Sequence, residues 1–311
     1  MTVRTTRRDA LLVAAAAIYA GTASARNAAP GSCANTPTSA FAELERRHHG
    51  RLGVAVLDTG TGQRLQHREN ERFAMCSTFK FLAAAAILQR VDQGKDRLDR
   101  AVSYTESDLL EYAPVSKEHV KDGKMSLAEI CAAAVQWSDN TAANLMFQML
   151  DGPAGLTQFF RSLGDGVTRL DHIEPELNVV APGEVHDTSS PAAMVKLLST
   201  VLFGQVLSPP LRAQLQAWML EAKVGEKRLA AGLPAGWRIA HKPGTWDTET
   251  NDVGVIWPPD RAPIVIAAFY NYAAGPKEDL HEDVLRDVAR IVVERSGAVT
   301  SSGQRPGTAQ P

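Results

Sequence analysis

The apolar positions of this chain fall into blocks whose spacing changes along its length. Arg51–Thr59 (RLGVAVLDT) and Gln63–Arg68 read as two strands around Thr59-Gly60-Thr61-Gly62, a hairpin signal. Ser39–Arg47, just ahead of them, reads as a helix. After Glu71 the character becomes helical, and helices are predicted at Phe79–Gln93, Ser126–Trp137, Thr141–Leu150, Gly155–Ser162, Ala192–Phe203 and Pro210–Ala222. The first of these is rich in Ala and Leu and meets no Gly or Pro until Gly94, so it reads as a buried helix. Strand-like sequence returns at Trp237–His241, Asp252–Trp257 and Ile264–Tyr270. An amphipathic helix follows from about Glu278 to Arg295. No internal repeat is visible. Strands at both ends with helices between them predict an α/β fold of two lobes. Residues 39–70 and 224–296 would form an antiparallel sheet flanked by helices, and residues 71–223 an inserted all-helical lobe. A cleft between lobes is a natural ligand site.

The ends carry other signals. Residues 1–25 read as a cleavable export signal. Thr6-Arg7-Arg8-Asp9-Ala10-Leu11-Leu12 resembles the twin-arginine pattern, an apolar stretch runs from Ala10 to Ala20, and Ala23-Ser24-Ala25 offers a small-x-small cleavage site. That apolar stretch is too short to span a bilayer. Residues 26–38 read as a loose segment and 297–311 as a disordered Gly/Ser/Thr/Pro-rich tail. Cys33 follows the signal closely, but Pro30-Gly31-Ser32 lacks the apolar residue expected ahead of a lipidated cysteine. Export implies an oxidising compartment, the periplasm or the exterior.

Composition adds mainly exclusions. The 311 residues are 44% hydrophobic and 22% charged with a net charge of −2, an ordinary globular balance without the basic footprint of a nucleic-acid binder. Removal of residues 1–25 takes away three arginines and one aspartate and moves the net charge to −4. Three cysteines cannot all pair with one another, and no C-x-x-C or close Cys/His cluster suggests a metal. His48-His49 reads as a surface pair. Monomer is the default expectation, with small molecules as partners.

Four stretches carry candidate chemistry. Cys76-Ser77-Thr78-Phe79-Lys80 opens the buried helix, with Ser77 in its first turn and Lys80 three residues on, on the same face. A Ser hydroxyl becomes a nucleophile when a base takes its proton. A Lys with lowered pKa or a carboxylate acting through water would serve. The helix N-terminus suits a developing oxyanion. Ser138-Asp139-Asn140 lies between two helices, where it could cap a helix; its Ser can relay a proton and its Asn amide can both donate to and accept from an amide substrate. Arg169–Asn178 is a charged loop in which Pro175 restricts Glu174, and a carboxylate fixed beside an amide can hold a water. His241-Lys242-Pro243-Gly244-Thr245 follows a predicted strand. Its Lys could hold a carboxylate, its Gly admits close approach, and the Thr245 N–H could donate to an oxyanion. Each stretch alone has a plainer reading as a cap, a turn or a solvated loop.

In this order, S-x-x-K, S-D-N, E-P-E-L-N and K-x-G make the chain resemble the class A serine β-lactamases, from roughly Phe41 to Arg295. The resemblance implies a serine β-lactamase/penicillin-binding-protein-like fold and hydrolysis of the lactam amide of penicillins and cephalosporins through an acyl-enzyme, without metal or cofactor. It implies Ser77 as nucleophile, Lys80 as proton acceptor or relay, and Ser138 as proton donor to the lactam nitrogen. Glu174, with Asn178, would hold the hydrolytic water; whether Lys80 or Glu174 is the acylation base stays open. Asn140 would contact the substrate's side-chain amide, Lys242 its carboxylate, and Tyr112 would wall the cleft. The N–H groups of Ser77 and Thr245 would form the oxyanion hole, and Gly244 would let the substrate approach the backbone.

The chain departs from the pattern in places. Pro243 stands where the family usually carries Thr or Ser, so the substrate carboxylate must lean on Lys242, Ser138, Thr245 and an Arg, for which Arg228 is the aligned candidate. His172 stands where many members pair an Arg with an Asp, here Asp187; a neutral His172 would be the weaker partner and leave the loop of Glu174 looser. Cys76 would need a partner where Trp246 stands, and Cys131 one where Ala84 stands, so both are expected to be reduced. A D-alanyl-D-alanine carboxypeptidase would share Ser77, Lys80, Ser138, Asn140, Lys242 and Gly244 but would not need Glu174 in E-P-E-L-N. A lactam sensor that acylates and stalls would normally carry a membrane tether.

Overall fold

In a computed structural model, residues 37–272 and 280–301 are described. The expected signal (1–25), most of the loose segment with Cys33, and the last ten residues of the tail lie outside them. The elements run α1 (Pro37–His48), β1 (Gly50–Asp58), β2 (Arg64–His67), β3 (Phe73–Ala74), a 3₁₀ turn Cys76–Phe79, α2 (Lys80–Asp92) and β4 (Ala101–Ser103). Then come α3 (Ser116–His119), β5 (Lys124–Ser126), α4 (Leu127–Gln136), α5 (Asn140–Met149), α6 (Gly152–Ser162), β6 (Thr188–Ser189), α7 (Pro191–Phe203) and α8 (Pro209–Leu220). The chain ends in β7 (Arg238–Thr245), β8 (Glu249–Trp257), β9 (Ile264–Tyr272) and α9 (Glu282–Ser301).

One antiparallel sheet in the order β2-β1-β9-β8-β7 brings the two ends of the chain together. Successive side chains of a strand point to opposite faces, and here each face has its own core. Ile264, Ile266, Ala268 and Tyr270 of β9, with Leu52, Val54 and Val56 of β1, pack under α1 and α9. Val265, Ala267 and Phe269, with Ala55, Val253 and Val255, face the helices. At the centre of the helices lies α2, buried throughout from Lys80 to Leu88. Its small Ala83–Ala86 run lets α4, α5 and α8 pack close to it. Each large apolar side chain fully buried there contributes about 1.5–3 kcal/mol.

Three expectations change. The strand expected to end at His241 runs on through Lys242-Pro243-Gly244-Thr245, paired with Thr250–Val253 of β8. Pro243 lacks an N–H, and β7 tolerates it because it is an edge strand. The helix over Ser77 starts at Lys80, and Ser77 itself sits in the preceding 3₁₀ turn. The last helix continues past Arg295 to Ser301. Ser296 helps extend it: its Oγ donates to Val292 O (2.8 Å) and its carbonyl accepts from Arg261 (2.8 Å). The short pairs β3–β6 and β4–β5 had no legible signal; β3–β6 ties the residues just before Ser77 to the stretch after Asp187.

Candidate active site

Ser77 is held by what surrounds its turn. Cys76 adopts a left-handed φ of 46°, which reverses the chain into the turn. Strand β7 lies directly against the turn, and a Cβ on Gly244 would come 2.7 Å from Met75 O, so the approach requires glycine. From β8, Asn251 donates its amide to Ala74 O (2.9 Å) and Met75 O (3.3 Å). Ser77, Ser138, Asn140, Glu174, Asn178, Arg228, Thr245 and Tyr112 all line one pocket of about 310 Å³, together with Pro243 and Trp246. Lys80 and Lys242 lie fully buried beneath it. A larger cleft of about 660 Å³, along residues 180–184, is lined by no serine or lysine.

Lys80 does not hydrogen-bond Ser77 in this arrangement. Its Nζ donates to Ser138 O (2.8 Å) and Asn140 Oδ1 (2.5 Å) and pairs with Glu174 Oε1 at 2.9 Å. Three acceptors match the three N–H bonds of an ammonium. Ser77 Oγ instead points to Glu174 Oε1, 3.5 Å away. Glu174 is 2% exposed. Its other oxygen accepts from Asn178 Nδ2 at 2.6 Å. Asn178 Oδ1 is buried and has no hydrogen-bond partner among the described residues.

In Ser138-Asp139-Asn140 the cap and the chemistry are divided between neighbours. Asp139 is the cap of α5: Oδ1 accepts from Ala142 N (2.8 Å), while Oδ2 accepts from Val115 N (3.0 Å) and Ser116 N (2.8 Å). That fixes the loop of Tyr112 against α5, and Asn140 N adds a bond to Tyr112 O (3.0 Å). Ser138, at a left-handed φ of 62°, presents its hydroxyl to Lys242 Nζ (3.0 Å). Burial, reinforced by the charge of Lys80, pushes the Lys242 ammonium well below the usual lysine range. A bound anion would offset that cost.

Arg228 is 3% exposed and spends its donors on protein. Nη1 bonds Gly244 O and Asn251 O (both 2.8 Å), Nη2 bonds Thr245 Oγ1 (2.5 Å), and Nε pairs with Glu282 (3.1 Å). It orients Thr245 and borders the pocket. Tyr112 and Trp246 are 47% and 38% exposed and form apolar parts of the pocket wall.

The loop carrying Glu174 is anchored at both ends. His172 Nδ1 meets buried Asp187 Oδ2 at 2.6 Å, and Asp187 Oδ1 accepts from the N–H groups of Asp171 (2.8 Å) and His172 (3.0 Å). The bond to Asp187 raises the His172 pKa above the ordinary 6.5. The anchor with no advance notice is Asn144. Its amide clamps the Glu174 backbone, donating to Glu174 O (2.9 Å) and accepting from Glu174 N (2.9 Å). Asn144 lies four residues after Asn140 on α5, so the i,i+4 rule was the available signal. Cys76 and Cys131 are buried free thiols, as expected.

The chain as a whole is similar to known proteins. The model of the β-lactamase enzyme family matches residues 36–296. Beta-lactamase CTX-M-8 of Citrobacter amalonaticus is 40% identical over 295 residues, covering 94% of this chain and 97% of that one. Among solved structures, an ancestral class A β-lactamase is 54% identical with a TM-score of 0.81, covering 84% of this chain and all of the other. A β-lactamase from Burkholderia vietnamiensis is 47% identical with a TM-score of 0.82, covering 86% and 99%. The chain therefore belongs to the class A β-lactamases, enzymes that hydrolyse the β-lactam amide bond and so confer resistance to these antibiotics.

Proposed function

We propose that Ser77 attacks the lactam carbonyl and that Glu174 hydrolyses the resulting ester. The observation that carries this reading is the Glu174 carboxylate, buried between Lys80 and Asn178 and 3.5 Å from Ser77 Oγ. In acylation the Oγ–carbon bond forms, the lactam C–N bond breaks, and the Ser77 proton leaves through a water to Glu174, or to Lys80 after that ammonium has passed a proton to Glu174. Ser138 Oγ delivers a proton to the departing nitrogen. Lys242, whose Nζ donates to that oxygen at 3.0 Å, stabilises the alkoxide left behind and can return a proton to it. Lys80 passes protons to and from Glu174, with which it pairs at 2.9 Å, and is held in place by its bond to the Ser138 backbone carbonyl at 2.8 Å. The N–H groups of Ser77 and Thr245 receive the oxyanion. Asn140 contacts the substrate's side-chain amide, and Tyr112 stacks along its side chain. Lys242, Thr245 and Ser138 take the carboxylate, with Arg228 orienting Thr245.

Hydrolysis of the ester needs a water, and Glu174 with Asn178 is the pair placed to hold one; Asn178 Oδ1 is an acceptor left over for it. Acylation thus has two proton acceptors and deacylation one. We further read the enzyme as a monomer of two lobes, 39–70 with 224–296 and 71–223, exported by the twin-arginine route to the periplasm. No helix among the described residues is long and apolar enough to cross a membrane.

The test is a time course with a chromogenic cephalosporin on wild type and Glu174→Ala. Steady turnover in the wild type with a stalled acyl-enzyme in the variant is the expected result. A burst of one equivalent in the wild type, followed by nothing, would overturn the assignment of Glu174 to deacylation.

A further inference from the structure

His48, His281 and Asp283 converge outside the pocket over Ser77. Each offers one ligand atom, and the three atoms lie within 4.8 Å of one another. Among the described residues this is the one group of three or more His, Cys, Asp or Glu side chains placed so closely. Two distant parts of the chain supply it, which is why His48 looked like an ordinary surface residue in the sequence.

The three side chains are partly buried and held from behind. His48 ends α1, and its carbonyl accepts from Tyr270 Oη of β9 at 2.7 Å. The His281 ring packs on Tyr272 with centroids 4.4 Å apart, and Tyr270 meets it edge-on at 6.0 Å. A left-handed φ of 46° turns His281 just ahead of α9, and its carbonyl accepts from Val284 N (3.1 Å). Asp283 stands in the first turn of α9. The rings and the carboxylate are therefore carried on rigid elements.

We propose that His48, His281 and Asp283 bind one zinc ion, with water as fourth ligand from the adjoining open cleft. Two imidazole nitrogens and one carboxylate oxygen form a donor set suited to zinc, whereas calcium and magnesium favour all-oxygen shells. Zinc bonds of about 2.0–2.2 Å in a tetrahedron bring donors to roughly 3.4 Å apart, so small side-chain rotations close the set. The same cleft carries Arg47, Lys227 and Arg286, opposed by Glu226, Glu282 and Asp283, so its formal charges balance with the histidines neutral. Bound there, zinc ties the end of α1 to the start of α9. Glu282, between two of the ligands, holds Arg228 at 3.1 Å, and Arg228 holds Thr245. The ion thus fixes the segment on which one wall of the pocket rests.

The experiment uses chelator-stripped full-length protein titrated with zinc chloride by calorimetry, and with cobalt(II) followed by its visible spectrum. Expected are one equivalent of zinc, the intense bands of tetrahedral cobalt, and a rise in Tm of about 5 °C or more at ~100 times Kd. His281→Gln and Asp283→Asn lose saturable binding, while His49→Gln keeps it; near-ultraviolet circular dichroism reports that each variant is folded. Absence of saturable binding to the wild type, an octahedral cobalt spectrum, or equal affinity in folded His281→Gln and Asp283→Asn would overturn the proposal. None of these readouts depends on lactam turnover.

Discussion

Replacing Asn144 by Ala separates the docking of the Glu174 loop from the chemistry of Glu174. Asn144 makes two backbone bonds to Glu174, both 2.9 Å, and touches no other part of the proposed machinery by hydrogen bond. Ala removes both partners and leaves an N–H and a carbonyl of a buried residue unsatisfied. Each loss costs about 1–3 kcal/mol, less where water enters the space left behind, so the docked loop loses about 2–4 kcal/mol. At ~1.4 kcal/mol per tenfold, the docking equilibrium weakens by about 30- to 1000-fold. The remaining anchors, the Lys80–Glu174 pair, the Asn178 bond and His172–Asp187, absorb part of that loss. Deacylation is then expected to slow by about 10- to 100-fold, while acylation, with Lys80 and Ser138 intact, changes little. Stopped-flow with a chromogenic cephalosporin should show a burst of one equivalent, and mass spectrometry the acyl-enzyme. Both kcat and KM should fall, with kcat/KM within about threefold of wild type. Unchanged kcat would refute the clamp. Parallel loss of kcat and kcat/KM without acyl-enzyme would show that the loop serves acylation first.

Further outcomes follow from the same geometry. Because the His172 pKa is raised by Asp187, the contribution of this pair is fully present below pH 6.5 and fades as pH rises through the higher folded-state value. Deacylation should therefore decline on the alkaline side, by no more than the ~0.5–1 kcal/mol of a half-exposed pair. His172→Arg should flatten that limb; a limb unchanged in the variant would assign it to another group. Pro243→Thr should lower KM for a penicillin about 3- to 10-fold by adding one hydroxyl bond to the carboxylate, and leave KM for its methyl ester unchanged. Burial pushes the Cys76 and Cys131 thiols up, so neither should react with a disulfide reagent in the native protein, and both should react at once in denaturant. A native thiol titre assigned to either residue by mass spectrometry would contradict their burial.

The elements that sequence reading found best are those whose period and packing agree. In β9, every second residue enters a different core, and α2 is apolar on all sides because it is surrounded on all sides. Where reading failed, a long-range contact overrode the local signal. Lys242-Pro243-Gly244-Thr245 has the composition of a turn, yet it is strand because β8 pairs with it on one side and the Ser77 turn lies against Gly244 on the other. The candidate site was legible for a different reason. Its residue types are scarce outside such chemistry in that order, whatever the local conformation.

The relations between the site residues were not legible, and they carry the physics. Lys80 lies three residues from Ser77, and spacing alone pairs them, but the Lys amine is drawn away by Ser138 O, Asn140 and Glu174. Ser77 is left facing the carboxylate that arrives on a loop 97 residues later. Arg228 shows the same limit. Alignment makes it a ligand for a substrate carboxylate, whereas the structure has its guanidinium holding Gly244, Asn251, Thr245 and Glu282. A buried guanidinium with four of its five N–H donors engaged by protein keeps at most one Nη2 hydrogen for an incoming anion. Its influence on the substrate passes through the position of Thr245 and through its fixed positive field, which a low-dielectric pocket screens poorly. In the mechanism proposed above, the absence of a hydroxyl at Pro243 shifts the demand onto Lys242, whose burial already disfavours its charge and whose charged form a substrate carboxylate would restore.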